Sequence, residues 1–271
     1  MTIARGPEDW TADRVQRFWD YQASREDRQG TYFGATAGPA VVHWLELLAV
    51  LRGRVLDFGC GPGLILERLC ERPLECYGVD SSGQSILMAR RRCQGRPGFR
   101  DVIQSRDGHC PWPDNSFDLI VCCETVEHVL PAVAAQIYEE LWRLVKPEGY
   151  VLITTPACEN LQQHTTYCPF CESEFHSWQH LRSISPAELR AELMRAGFDV
   201  RRCEAVELLD FDPNATLTRA PRLRRLVSWC WRVALRVLWT TAPDLARRTE
   251  LWLRTSPGPN LIALAQKRPS R

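Results

Sequence analysis

The chain has 271 residues, 45% of them hydrophobic and 25% charged, with a net charge of +1. That composition excludes wholesale disorder, a collagen-like repeat and a fibrous protein, and it fits one large domain carrying insertions. The near-zero balance also excludes a chain that gathers nucleic acid by overall charge; the preference for arginine, with only Lys146 and Lys267 as lysines, reads as codon usage.

Residues 8–24 carry a helical apolar period through Trp10, Val15, Phe18, Trp19 and Ala23. A glycine-rich, aromatic stretch follows at 30–39, and 40–51 form a second helix. A regular alternation then begins. Strands are expected at 54–58 (RVLDF), 75–80 (ECYGVD), 100–104, 117–123 (FDLIVCC) and 150–155 (YVLITT). Helices are expected at 64–71, 82–92 and 132–145. Such alternation means crossover units on a parallel sheet, with the C-terminal strand ends on one ligand-binding edge. The pattern breaks at Pro156. Residues 157–182 are polar and irregular and hold three of the six histidines. Ser185, Pro186, Glu188 and Gly197 bracket a capped helix. A strand is expected at 198–209, one or two basic, Trp-rich helices at 219–254, and a last strand at 260–266.

Twelve cysteines are scattered, and Cys76, Cys122, Cys123 and Cys203 fall in apolar runs. Nothing resembles a signal peptide, so a reducing, cytoplasmic compartment is expected.

The strongest motif is VLDFGCGPG, residues 55–63. A buried strand ends at Asp57, and Gly59, Gly61 and Gly63 let the backbone bend and approach a ligand closely. The third glycine comes one residue too early for a dinucleotide fingerprint. With YGVDSS (77–82), DGHCPWPDNSFD (107–118) and LVKPEG leading into YVLITTP (144–156), four motifs stand in order. Together they resemble class I S-adenosylmethionine (SAM)-dependent methyltransferases.

The resemblance implies an α/β fold: a doubly wound, mostly parallel seven-stranded sheet, with an insert after the fifth strand and a helical insert before the last. Residues 1–50 would cover cofactor and acceptor, with Trp19, Tyr32 and Phe33 over the site. Residues 51–210 and 258–267 would form the core, with 157–182 as a Cys/His insert and 215–256 as a helical insertion. It implies a SAM site at Asp57, Gly59, Cys60, Gly61, Gly63, Asp80, Ser81, Asp107, Gly108 and Cys123. Asp80 would accept hydrogen bonds from the ribose diol, Asp107 would lie at the adenine, and Asp118 would be structural.

After the fourth strand, CCETVEHV offers Glu124, Glu127 and His128, which share one face if a helical turn starts there. His128 and Glu127 are the candidate catalytic residues. A narrower resemblance, to ubiquinone-pathway O-methyltransferases and small-RNA terminal ribose methyltransferases, implies a divalent cation such as Mg2+ on Glu124, Glu127, His128 and a later histidine, His180 or His176. A competing reading is zinc on Cys168, Cys171, His176 and His180, spaced C-x2-C-x4-H-x3-H.

Residues 219–254 hold nine arginines against Asp244 and Glu250, a local charge of +7 that leaves −6 on the rest. Arg225, Arg232 and Arg236 form one helical stripe, with Trp229, Trp231 and Trp239 widening the apolar surface. This fits a peripheral contact with anionic lipid, a lid, or plain packing. Nucleic acid is a poorer fit because the basic charge is confined to this segment. The expected activity is methylation of a hydroxyl on a small, lipid-linked or glycosyl acceptor. An RNA ribose methyltransferase, a nicotinamide-dependent oxidoreductase and a non-catalytic zinc-bearing adaptor that has kept the fold are the rivals, and oligomeric state is left open.

Overall fold

The computed structural model describes residues 3–4, 6–213 and 237–268. In chain order its strands are β1 (Ile3–Ala4), β2 (Arg54–Phe58), β3 (Glu75–Asp80), β4 (Phe99–Gln104), β5 (Phe117–Cys123), β6 (Val145–Pro156), β7 (Thr165–Cys168), β8 (Ser173–His176), β9 (Phe198–Val206) and β10 (Asn260–Lys267). Its α-helices are α1 (Ala12–Ser24), α2 (Phe33–Thr36), α3 (Gly38–Leu47), α4 (Leu64–Leu69), α5 (Gly83–Cys93), α6 (Pro131–Leu144), α7 (Pro186–Arg195) and α8 (Pro243–Arg254).

The central sheet runs β4-β3-β2-β5-β6-β10-β9. Strands β2 to β6 are parallel, and β10 is antiparallel to both β6 and β9. The near-continuous apolar run of β5 follows from its central position, where both faces are covered. Trp44, Leu45, Leu66 and Leu69 fill one layer, and Tyr138, Leu141, Leu144, Leu189 and Leu193 the other. Ser185 and Glu188 form the expected capping box of α7. Asp118 lies at the start of β5, away from the ligand edge. Its Oδ2 accepts from the Arg54 backbone N–H (2.9 Å) and from Lys146 Nζ (2.8 Å), which is a structural role.

The structure corrects the sequence reading in several places. The insert at 157–182 is not wholly irregular: β7 and β8 form an antiparallel hairpin, and β8 also pairs in parallel with β1. Four-residue strands are too short to show a period in sequence. The start of the chain and the insert thus share one small sheet. The stretch at 30–39 contains α2 and the start of α3. The strand expected to reach Leu209 ends at Val206 and passes into a 3-10 turn, Leu208–Phe211, that buries Leu208 and Phe211. Of the basic segment, α8 and residues 237–242 are described, whereas the Arg225, Arg232 and Arg236 stripe lies outside the described residues. Among the described residues, no helix is long and apolar enough to cross a membrane.

Gly63, expected at the cofactor, is also a packing position. It has φ +81° at the start of α4, and a Cβ there would lie 2.9 Å from the Ala89 Cα in α5. Gly63→Ala should destabilise the fold by roughly 2–4 kcal/mol, from left-handed strain plus overpacking. A drop in the denaturant midpoint checks this; an unchanged midpoint would show that α4 and α5 part freely.

Candidate active site

The turn after β2 builds one end of the site. The Gly59 and Cys60 backbone N–H groups both donate to Val79 O, at 2.8 and 3.0 Å, which folds the turn onto the end of β3. Gly59 has φ +75°, and a Cβ there would collide with the Thr125 hydroxyl. Asp80 ends β3 and clamps the same turn. Its Oδ2 accepts from Gly61 N–H and its Oδ1 from Ser82 N–H, both at 2.8 Å.

A cleft of about 670 Å³ opens at this edge of the sheet, a size suited to a cofactor and a small acceptor. Asp57, Gly59, Cys60 and Gly61 line it from the turn, and Asp80 and Ser81 from the end of β3. Asp107, Gly108 and Cys123 complete the expected cofactor set, so that Gly63 alone stands outside. Asp57 is 2% exposed, and its Oδ2 has no hydrogen-bond partner among the described residues. Burial, reinforced by the charge of Asp80, pushes the Asp57 carboxyl up to about 7. Burial also raises Asp80, to about 6, against the backbone hydrogen bonds from Ser82 and Gly61. Asp107 is held below the usual carboxylate range by hydrogen bonds from His109 N–H and the Ser105 hydroxyl. Burial lifts the Cys60 and Cys123 thiols well above their ordinary value, so neither is a thiolate nucleophile.

The N-terminal aromatics Trp19, Tyr32 and Phe33 all line the cleft. The Tyr32 hydroxyl is buried without a partner. Trp19 Nε1 donates to Gln179 Oε1 (2.9 Å), and Gln179 Nε2 donates to His128 O (2.8 Å). The Trp19 ring meets His128 edge-on at 4.6 Å.

The acid–histidine group differs from the sequence expectation. Glu124 has φ +46°, and Val126–His128 form a 3-10 turn, so no α-helical face unites the three residues. Glu124 is held instead by Thr154, whose hydroxyl donates to its Oε1 at 2.9 Å. Glu127 is 1% exposed, and neither of its carboxylate oxygens has a hydrogen-bond partner among the described residues. His128 Nδ1 is also unpartnered, and its Nε2 lies 3.8 Å from Glu127 Oε1. His128, Glu124 and His180 line the cleft, whereas Glu127 sits behind them. Of the expected catalytic pair, His128 alone therefore reaches the cleft. Leu181 N–H donates to Glu127 O at 2.8 Å, which stitches the insert to this turn and brings in His180.

Glu127, His128 and His180 offer donor atoms within 4.8 Å of one another, and so do Glu159, His176 and His180. Neither trio contains a cysteine. In the hairpin, Cys168 pairs with Ser173 and His176 with Thr165, three positions further along. That separates the two pairs by about 10 Å, so Cys168, Cys171, His176 and His180 do not converge on one zinc ion. The carboxyls of Glu124 and Glu127 are both raised by burial, and Glu127 further by the Glu124 charge. Burial first, then His180, drives His128 well below its ordinary value, which leaves a neutral imidazole. Buried carboxylate oxygens and a neutral imidazole without partners are the donor chemistry of a hard or borderline divalent cation.

Sequence reasoning missed Glu159, Thr125 and Gln179. Glu159 carries no periodic signal, and only the return of the insert onto the 126–128 turn gives it a role.

Residues 56–153 match the family model described as a methyltransferase domain. The chain is 33% identical over 174 residues to the ubiquinone biosynthesis O-methyltransferase of Neisseria meningitidis serogroup C (strain 053442), covering 60% of this chain and 71% of that protein. It is 28% identical over 206 residues to the enzyme of the same name from Paracidovorax citrulli (strain AAC00-1), covering 72% of this chain and 82% of that one. Among solved structures, the DhpI–SAH complex shares the fold, with a TM-score of 0.60 and 17% identity over 96% of this chain and 98% of the other. A nicotinamide-dependent oxidoreductase is thereby set aside. The motif order, the carboxylate-lined cleft at the parallel-strand ends and the relatives agree: the chain belongs to the class I SAM-dependent methyltransferases.

Proposed function

We propose that this methyltransferase acts on a hydroxyl of a small, apolar or lipid-linked acceptor, with a divalent cation held by Glu124, Glu127, His128 and His180. The observation that carries this reading is the buried Glu127 carboxylate. Neither oxygen has a hydrogen-bond partner within ordinary distance among the described residues, and it faces His128 and His180 beside the cleft that Asp57 and Asp80 line. An uncompensated buried carboxylate is costly, and a cation offsets that cost. The names of the relatives, ubiquinone biosynthesis O-methyltransferases, support oxygen as the methylated atom. Apolar lining from Val15, Leu64, Leu130, Val133 and Ile137 supports a small acceptor over RNA.

When bound, SAM supplies a methyl group on a positively charged sulfur, and the cation supplies a charge that eases proton loss from the acceptor hydroxyl. The rest falls to the chain. Each Asp80 oxygen accepts one backbone N–H and keeps a lone pair for a ribose hydroxyl. The free oxygen of Asp57 suits an ammonium group, and Asp107 suits the adenine amino group. His128 stays neutral and so presents a lone pair rather than charge. Trp19, Tyr32 and Phe33 keep water from the reacting atoms. The +7 charge of residues 219–254, with Leu245 and Trp252 exposed seven residues apart on α8, supports contact with an anionic lipid surface where a lipid-linked acceptor would be met.

Two measurements test this. Labelled SAM and a host lipid extract should give a labelled product. EDTA should slow its formation by about tenfold or more and Mg2+ should restore it; a rate indifferent to EDTA contradicts the cation. Separately, Asp80→Ala should raise the SAM dissociation constant by about tenfold or more, through loss of charge-assisted bonds of roughly 1.5–3 kcal/mol. Because the ionised carboxylate is the better acceptor, SAM affinity in the unmodified enzyme should also decline as pH falls through about 6. Equal affinity in calorimetry, for the variant or across that pH range, would show that the ribose binds elsewhere.

A further inference from the structure

Two candidate donor trios share His180, and a single imidazole has one lone pair to give. The hydrogen bonds decide between them. His176 Nδ1 accepts from two backbone N–H groups, those of Trp178 (3.3 Å) and His180 (3.1 Å). Its proton therefore sits on Nε2, which faces Glu159 Oε1 at 3.4 Å. The other oxygen of Glu159 is hydrogen-bonded to His180 Nδ1. The two rings stack, with centroids 4.3 Å apart and planes 22° from parallel. In the second trio, then, both Nδ1 atoms are already hydrogen-bonded, and His176 Nε2, without a hydrogen-bond partner among the described residues, carries a proton rather than a lone pair. In the first, both Glu127 oxygens and His128 Nδ1 have no partner.

We infer that Glu159 is a positioning residue for the cation site: it takes the Nδ1 proton of His180 as a hydrogen bond and thereby leaves Nε2 as the lone pair offered toward Glu127 and His128, with His176 stacked behind to hold the ring. A carboxylate that fixes the tautomer and direction of a ligating histidine is a general feature of metal sites. Glu159 is well placed for it. The backbone just before it is pinned on both sides, Ala157 N–H to Pro259 O (2.7 Å) and Cys158 N–H to Ile184 O (3.0 Å). His180 is fixed in turn by Leu181 N–H bonding to Glu127 O (2.8 Å). This inference rests on the divalent-cation reading above.

The test uses the full chain with Mn2+ alone as probe, followed by calorimetry, and the ring 15N spectrum of the histidines in cation-free buffer. In the unmodified protein the His180 signals should be those of an Nδ1–H ring. Glu159→Gln should weaken Mn2+ uptake by about 10- to 100-fold and shift His180 away from that tautomer, while S-adenosylhomocysteine binding stays intact as the check on folding. Glu159→Asp, which keeps the charge one methylene further back, should recover part of the Mn2+ affinity and serves alone if the glutamine variant does not fold. Mn2+ binding in Glu159→Gln equal to that of the unmodified protein overturns the positioning role and leaves the cation reading standing. No Mn2+ uptake by the unmodified protein overturns both.

Discussion

Carboxylates gathered at one edge of a parallel sheet constrain everything else in this molecule. Asp57 and Asp80 sit at the ends of β2 and β3, and Glu124 and Glu127 just after β5, all at the edge where the C-terminal strand ends meet. Asp57 and Glu127 are almost fully buried, and each has at least one oxygen with no partner among the described residues. Burying negative charge without compensation is unfavourable, which is why these carboxyls titrate high in the chain alone. Such a site favours cationic ligands, and we accordingly propose the ammonium tail of a sulfonium cofactor at Asp57, its ribose at Asp80 and a divalent ion at the glutamates. The chemistry of methyl transfer and the electrostatics of the fold point the same way.

The outer layers give this edge its shape. Helix α1 and the hairpin of β7 and β8 are distant in sequence, yet β1 pairs with β8 and Trp19 hydrogen-bonds to Gln179. Gln179 in turn holds the backbone of His128, so α1, the insert and the 126–128 turn form one connected set. A change at Trp19 is thus expected to reach His128 through two hydrogen bonds, even though Trp19 is no ligand.

What the sequence revealed follows from the range of the interactions. That Asp57, Gly59, Gly61, Asp80 and Asp107 line one cleft was legible because strand ends and tight turns are local, and local rules place these residues at one edge of the sheet. The packing role of Gly63 was hidden for the same reason: a glycine in a glycine-rich turn looks like its neighbours, but it packs on Ala89, 26 residues away on another helix. The helical spacing of Glu124, Glu127 and His128 misled because the left-handed backbone at Glu124 breaks the helix at its first residue. The Cys and His pairs suggested zinc by spacing alone, and the hairpin register that separates them cannot be seen in a stretch with no period. Glu159 was invisible because its role exists only once the insert closes back on the 126–128 turn.

The central claim is that one edge of the sheet holds two cationic ligands side by side. A crystal of the enzyme grown with S-adenosylhomocysteine and Mn2+ tests it most directly. The account predicts the ribose on Asp80 and an anomalous manganese peak among Glu127, His128 and His180. An adenosyl group bound elsewhere, or manganese absent from those residues, would contradict it.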